Sequence, residues 1–325
     1  MAPASLVADL GGTHARLAQV DGRGRPGTAI DLPSGRITNL VEALRAGQAL
    51  LGGSALELRG GAAAVAVAGP VRGDEVSLTN VALRFSIEDT RRELGLARLV
   101  VLNDFAALAL SIPSLTAPDL DVWRAGEAVS AAPRALLGPG TGLGVAALIR
   151  AGGSWQAVPG EGGHRDLAAS EEREWRVVEQ LRASRGHVSA EAVLSGPGLV
   201  ALHGALAALD GAAGGSLAPE EISRRAAEGA DERCREAIRL FSGWLGAVAG
   251  DLVLTLGARG GLFLAGGVLA GLGPAFEREL FFARFGAKGR MSRYLDAVPV
   301  ARIAAPDAAL RGAARALREA GSAGA

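Results

Sequence analysis

Ser5-Leu6-Val7-Ala8, then Asp9-Leu10-Gly11-Gly12-Thr13, then Leu17-Ala18-Gln19-Val20 read in succession as a strand, a glycine turn and a second strand, which together make a hairpin. The pattern returns at Ala135-Leu136-Leu137, where Gly138-Pro139-Gly140-Thr141-Gly142-Leu143-Gly144 leads into Val145-Ala146-Ala147-Leu148-Ile149. A third strand–glycine unit stands at Leu262-Phe263-Leu264-Ala265-Gly266-Gly267. What repeats is one structural unit, not a stretch of sequence. Between these units lie the uninterrupted apolar runs Ala63 to Ala68 and Leu99 to Leu102, which suit strands covered on both faces. Helical stretches fill the rest: Leu40 to Leu51, Ser170 to Ser184 with Ser170 as cap, Pro197 to Leu209, a long one from Asp231 to Gly257, and Ala308 to Glu319. The chain is therefore expected to be an α/β protein.

A length of 325 residues exceeds one compact core and suits two domains. No low-complexity linker separates them, so the boundaries are expected in ordered loops near 105–120 and 304–308. Acids and bases balance at 34 each, which argues against a nucleic-acid or anionic-membrane surface. Lys288 is the only lysine among those bases, so there is neither a G-x-x-x-x-G-K-[ST] phosphate loop nor a V-A-I-K strand. Glycine is instead abundant, 47 residues or about twice the usual share of roughly 7%. The single cysteine, Cys234, excludes an internal disulfide and a Cys-based structural zinc site, and with no evident partner it reads as structural. The N-terminus has no signal-peptide pattern, and a cytoplasmic location is expected. Leu240 to Ala258 carries one charge, Asp251, and the spacing Gly246-x-x-x-Gly250. A central Asp and four glycines argue for a buried helix with a second helix packed closely against it, not for a membrane span.

Several residues carry candidate chemistry. Around Asp9, paired glycines bring backbone N–H groups close to an anion, and an acid at a strand end can hold a hydrated cation beside it; a plain hairpin turn uses the same residues. Gly142-x-Gly144-x-x-Ala147 fits the dinucleotide fingerprint, but Val145 to Ile149 is too short for the helix that fingerprint must open. Asn103-Asp104 ends a buried strand, where α/β sheets place ligands; Asp104 suits a general base, and the pair equally suits a helix cap. Pro159-Gly160-Glu161-Gly162-Gly163-His164 presents a carboxylate and an imidazole suited to sugar hydroxyls, and Glu191 supplies another acceptor. The rival grouping of His164, Asp166 and His187 imitates an iron triad but leaves the glycine loops without a task.

Taken in order, Asp9-Leu10-Gly11-Gly12-Thr13, Asn103-Asp104-Phe105, Gly138 to Gly144, Glu161-Gly162-Gly163-His164, His187-Val188-Ser189-Ala190-Glu191, Leu194-Ser195-Gly196-Pro197-Gly198 and Ala265-Gly266-Gly267 resemble the bacterial ATP-dependent glucokinases. The resemblance runs from about residue 6 to 317. It implies the two-domain actin-like ATPase (ribonuclease H-like) fold with a cleft between a small α/β domain, 1–112 plus 305–325, and a large one, 113–304. It implies Asp104 as general base for the sugar 6-hydroxyl, and Asn80, Asn103, Glu161, His164 and Glu191 as glucose ligands. Ala8, Asp9, Leu10, Gly11, Gly12 and Thr13 match the first phosphate loop, Gly140, Thr141 and Gly142 the second, and Gly266 and Gly267 the adenosine side. Mg²⁺ is expected with ATP near Asp9, through water, and a homodimer is expected. Three departures stand out: His14 replaces the usual Asn after Thr13, Val81-Ala82-Leu83-Arg84-Phe85 lacks the usual aromatic after Leu78-Thr79-Asn80, and the Cys-rich zinc motif of the broader repressor/kinase sugar family is absent.

Overall fold

The computed structural model describes residues 4–322 apart from 13, 38, 53–56, 79–82 and 213–214. Contacts divide the chain into two compact units, Met1–Leu120 with Ser154–Pro159 and Ala304–Ala325, and Asp121–Gly153 with Gly160–Ile303.

In the first unit the chain forms β1 (Ser5–Leu10), β2 (His14–Val20), β3 (Ile30–Pro33), α1 (Leu40–Gly52), β4 (Ala62–Val67), β5 (Glu75–Ser77), β6 (Arg84–Ser86), α2 (Ile87–Glu93), β7 (Arg98–Asn103) and α3 (Asp104–Ser111). Five of these strands make one sheet in the order β3-β2-β1-β4-β7. β1 runs antiparallel to β2 and parallel to β4, which is parallel to β7. The expected coverage of both faces is present, and it follows the two-residue period of a strand. Leu6, Ala8, Val65 and Leu99 pack with Leu40 and Leu44 of α1. The alternate positions Val7, Ala18 and Ala64 pack with Leu310, Ala313, Ala314 and Leu317 of the C-terminal helix, residues 308–322. Each fully buried Leu or Val contributes about 1.5–3 kcal/mol relative to exposure.

The second unit contains β8 (Leu120–Arg124), β9 (Arg134–Pro139) and β10 (Leu143–Ala151), and β11 (Ser154–Gly160) follows in the chain. Next come α4 (Glu172–Arg185), α5 (Gly196–Leu209), α6 (Pro219–Ala227), α7 (Glu232–Leu256), β12 (Leu262–Leu264), α8 (Gly267–Leu272), α9 (Arg278–Gly286), α10 (Ser292–Asp296) and β13 (Val300–Ile303). Its strands are ordered β10-β9-β12-β13-β8. β9 is antiparallel to β10 and parallel to β12, and β12 is parallel to β13. This is the arrangement of β2-β1-β4-β7 over again, so the repeated strand–glycine unit is a repeat of sheet topology. Because Leu143–Ala151 is one continuous strand, the dinucleotide fingerprint has no helix to open.

The first unit continues beyond residue 112 as far as Leu120, because Asp119 is held by the C-terminal segment. Its carboxylate accepts from Arg311 Nη1 at 2.9 Å and its carbonyl accepts from Ala304 N at 2.8 Å. Ser170 does not cap α4; Glu171 stands at the cap with no side-chain bond, and Ser170 N–H donates to Glu174 Oε2 at 2.7 Å. Glu174 is buried and gripped by both Nη atoms of Arg284, at 2.6 and 3.2 Å, and that tertiary pairing outcompetes the local cap.

Among the described residues one helix, Glu232–Leu256, is long and apolar enough to cross a membrane, and most of that stretch is buried inside the protein. Asp231 caps α7 through Arg233 N and Cys234 N, and Gly257 ends it in the left-handed region at φ 61°. A Cβ on Gly246 would overlap the carbonyl of Phe281, and one on Gly250 the carbonyl of Phe285, so α9 lies directly against this glycine stripe. Asp251, the charge within the apolar stretch, is neutralised by Lys288 Nζ at 2.6 Å and Arg165 Nη2 at 3.5 Å. Gly246→Val is expected to destabilise the protein by roughly 1–3 kcal/mol or more through overpacking. Gly243→Ala, whose methyl meets only ordinary contacts from 3.6 Å, should be neutral or stabilising by up to about 1 kcal/mol. Denaturant midpoints measure both, and an unshifted midpoint for Gly246→Val would contradict the close helix contact.

Candidate active site

The parallel register of the first sheet brings two acids to the same edge. Asp9 of β1 lies opposite Ala66 of β4, and Val67 of β4 lies opposite Asn103 of β7. Asp9 and Asp104 therefore both emerge at the carboxyl ends of parallel strands, where α/β sheets bind ligands. Burial, the larger cause, pushes the Asp9 carboxyl up from its ordinary value near 3.8 to about 6; Arg16 opposes the shift and Asp31 adds to it. Burial likewise raises Asp104 to about 6, against the Phe105 N–H, and the charge of Asp9 adds to the rise.

Asp104 is held in one orientation. Its Oδ1 accepts from Phe105 N at 2.9 Å and from Asn103 Nδ2 at 3.0 Å, while Oδ2 has no hydrogen bond to a described residue. Asn103 caps α3, its Oδ1 accepting from Ala106 N at 3.1 Å, and its amide also donates to Gly69 O at 3.2 Å. Cap and candidate base are thus neighbours: Asn103 performs the first task and leaves an oxygen of Asp104 open for the second.

The first glycine turn is closed by Gly11 N–H donating to His14 O at 3.0 Å, and Gly11 O accepts from the buried Ser34 hydroxyl at 2.7 Å. The Gly11 amide is thereby spent on the turn, and the exposed Gly12 stands at its tip. The second loop repeats the device, with Gly140 N donating to Gly142 O at 2.7 Å and Thr141 exposed at the tip. Gly140 O in turn accepts from Gly196 N at 2.8 Å, at the start of α5. Ala8 is buried within β1, and Leu10 ends it. Gly266, at φ 92°, passes so close to Pro139 O that a side chain would overlap it; Gly267 begins α8 and is exposed.

In the second unit Glu161, His164 and Glu191 come together. His164 Nε2 lies 3.9 Å from Glu161 Oε2, and Nδ1 lies 3.8 Å from Glu191 Oε1. Glu191 N–H donates to Gly163 O at 2.9 Å, tying the two segments. Its Oε2 accepts from Leu143 N at 2.7 Å and fills the space a Gly142 side chain would need, so this acid touches the second glycine loop as well. His187 Nε2 and Asp166 Oδ1 form an exposed hydrogen bond at 2.8 Å.

Thr13 and Asn80 lie outside the described residues. Leu78 and Leu83 flank the segment around Asn80; both are buried and Leu78 N donates to Leu83 O at 3.0 Å. His14 is exposed, with Nδ1 3.9 Å from Asp31. Ser34 and Arg16 are site neighbours that no spacing in the sequence marks, since each acts through a fold-dependent contact.

A sequence profile of the glucokinase family matches residues 6–320. The chain is 49% identical to a glucokinase of Aromatoleum aromaticum over 313 residues, 96% of this chain and 94% of that protein. The chain belongs to the glucokinase family. A glucokinase of Chromobacterium violaceum is 47% identical, with 95% of this chain and 88% of that protein aligned. Among solved structures, glucokinase from an Antarctic psychrotroph superposes with a TM-score of 0.85 at 36% identity, covering 98% of this chain and all of that one. A glucokinase of Streptomyces griseus solved with glucose and AMPPNP is 20% identical with a TM-score of 0.60, covers 97% of this chain and 99% of that one, and shares the fold. As in these glucokinases, the fold is the two-domain actin-like ATPase fold.

Asp9 and Asp104 bind protons more tightly folded than unfolded, so the stability linked to them is full below about pH 3.8 and lost as pH rises through about 6. Asp9→Asn and Asp104→Asn should each stabilise the ligand-free protein at pH 7.5, by on the order of 1–3 kcal/mol. The gain should shrink toward zero near pH 4. Unfolding measured at both pH values checks this, and equal stability of wild type and variants at pH 7.5 would contradict the buried repulsion.

Proposed function

We propose that this glucokinase-family chain transfers the γ-phosphoryl group of ATP to the 6-hydroxyl of D-glucose, giving glucose 6-phosphate and ADP, with Asp104 as general base. One observation carries the reading: a carboxylate fixed through Oδ1, open at Oδ2 and raised to about 6, stands at the ligand-binding edge of the sheet. At neutral pH such a group is mostly ionised yet a better base than an ordinary carboxylate. As the hydroxyl oxygen bonds to the γ-phosphorus, its proton passes to Asp104 and the bond to the bridging oxygen breaks, releasing ADP. Phosphoryl transfer asks the protein mainly for positioning and charge stabilisation.

Asn103 orients Asp104, and we assign Asn103, Asn80, Glu161, His164 and Glu191 to the sugar hydroxyls. Carboxylates accept from hydroxyls, and the imidazole supplies a donor or acceptor as needed. Ala8 to Thr13 and Gly140 to Gly142 are assigned to the phosphates, with Gly266 and Gly267 on the adenosine side. Mg²⁺ fits the donor set: Asp9 is a half-buried oxygen donor whose charge only Arg16 opposes and whose neighbour Asp104 is also acidic. Magnesium, held by Asp9 through water, would neutralise charge on the phosphates. The proposal extends to a homodimer in the cytoplasm.

A nucleotide switch without a sugar acceptor would also use both glycine loops, but it gives Glu161, His164 and Glu191 no task. ADP release measured across a panel of sugars with Mg-ATP separates the readings. The expected result is turnover that requires glucose and yields glucose 6-phosphate in equal amount. ATP hydrolysis indifferent to every sugar would overturn the proposal, and preference for another hexose would reassign the acceptor.

A further inference from the structure

Among the described residues of the second unit, outside the acidic edge and the glycine loops, one cluster of metal-ligating side chains is unused by the chemistry above. A ring nitrogen of His203 on α5, a carboxylate oxygen of Asp231 and Sγ of Cys234 at the start of α7 all lie within 4.8 Å of one another. We propose that His203, Asp231 and Cys234 bind a borderline-soft divalent transition-metal ion, best matched by Zn²⁺.

The sequence left Cys234 without a partner; the fold supplies two, from a residue three positions earlier and from another helix. The observation that points to a ligand is His203. It is 4% exposed, and its Nε2 is buried with no hydrogen-bond partner among the described residues. A buried polar atom left unpaired costs about 1–3 kcal/mol, and native proteins fill such vacancies with water or an ion. Burial also keeps this imidazole in the neutral form that ligates metals.

The other two groups suit the same ion. Asp231 caps α7 through Oδ1, has Oδ2 4.0 Å from Arg225, and accepts a hydrogen bond from the Cys234 thiol, a contact that a metal bound by both groups would replace. Cys234 sits in the first turn of α7, where the helix end favours a thiolate, and the charges of Arg225 and Arg233 act in the same direction. Burial, with the charge and hydrogen bond of Asp231 adding to it, pushes the thiol up to about 11, so metal binding releases that proton to solvent as the metal–sulfur bond forms. Zinc bonds of about 2.0–2.3 Å set tetrahedral edges of roughly 3.3–3.8 Å, so the three groups close by about 1 Å, and water completes the fourth position. Arg225 and Arg233 oppose the ion's charge and hold its affinity below that of a four-ligand site. Mixed sulfur, nitrogen and oxygen ligation excludes Mg²⁺ and Ca²⁺ as the preferred occupants. An ion here braces α5, whose first residue, Gly196, donates to the second glycine loop.

The test uses the full chain freed of metal by chelator. Co²⁺ titration should produce a thiolate-to-cobalt charge-transfer band saturating at one ion per chain, and Zn²⁺ should raise the Tm where Mg²⁺ does not. Cys234→Ser should abolish the band, and His203→Gln should abolish the zinc-dependent rise in Tm. The wild-type arms stand even if a variant fails to fold. No cobalt–thiolate band and no zinc-dependent shift in the wild type would overturn the proposal, as would a band that survives in Cys234→Ser.

Discussion

Two carboxylates that burial holds near a pKa of 6, with the charge of Asp9 adding to the rise at Asp104, are the constraint on which the first unit turns. Asp9 and Asp104 sit at the carboxyl ends of β1 and β7, separated by the single strand β4. An apolar sheet packed on both faces fixes those strands and keeps the acids out of water. Such burial is costly to a protein without ligands, and under the proposed function a cation beside Asp9 and a hydroxyl proton for Asp104 would relieve it. Stability and function therefore pull in opposite directions at these two positions, as expected where a fold keeps a reactive group poised.

The second recurring device is the strand–glycine–strand turn, present once in each sheet. In both turns the first glycine N–H closes the loop on itself, and the next residue is presented at the tip. This arrangement offers backbone donors without a lysine. The single lysine, Lys288, has a structural task instead, neutralising Asp251 within α7. Arginine performs the remaining cationic work, as where Arg284 grips the buried Glu174.

Much of this was legible in the sequence because it is local. The glycine turns, the apolar strands and the Gly246–Gly250 stripe follow from spacing alone, and the stripe faces a closely packed helix as its pattern requires. Asn103 and Asp104 could be read as cap or as base; the structure gives the cap to Asn103 and leaves Oδ2 of Asp104 without a hydrogen bond to a described residue. Contacts between distant segments were not legible. The repulsion of Asp9 and Asp104 depends on strand order, and Glu191 reaches Leu143 N across 48 positions. Ser170 looked like a cap, but Glu174 is committed to Arg284 from another helix and captures the Ser170 amide. Cys234 looked solitary because its neighbour His203 lies on another helix.

The central claim is that the oxygen of Asp104 left open by its neighbours takes the proton during phosphoryl transfer. Turnover of Asp104→Ala, measured with nucleotide binding on the same protein, tests it most directly. General-base catalysis typically contributes about 10²- to 10⁴-fold, so kcat should fall by that order while affinity for Mg-ATP changes little. Turnover close to wild type in a variant that still binds ATP would contradict the account.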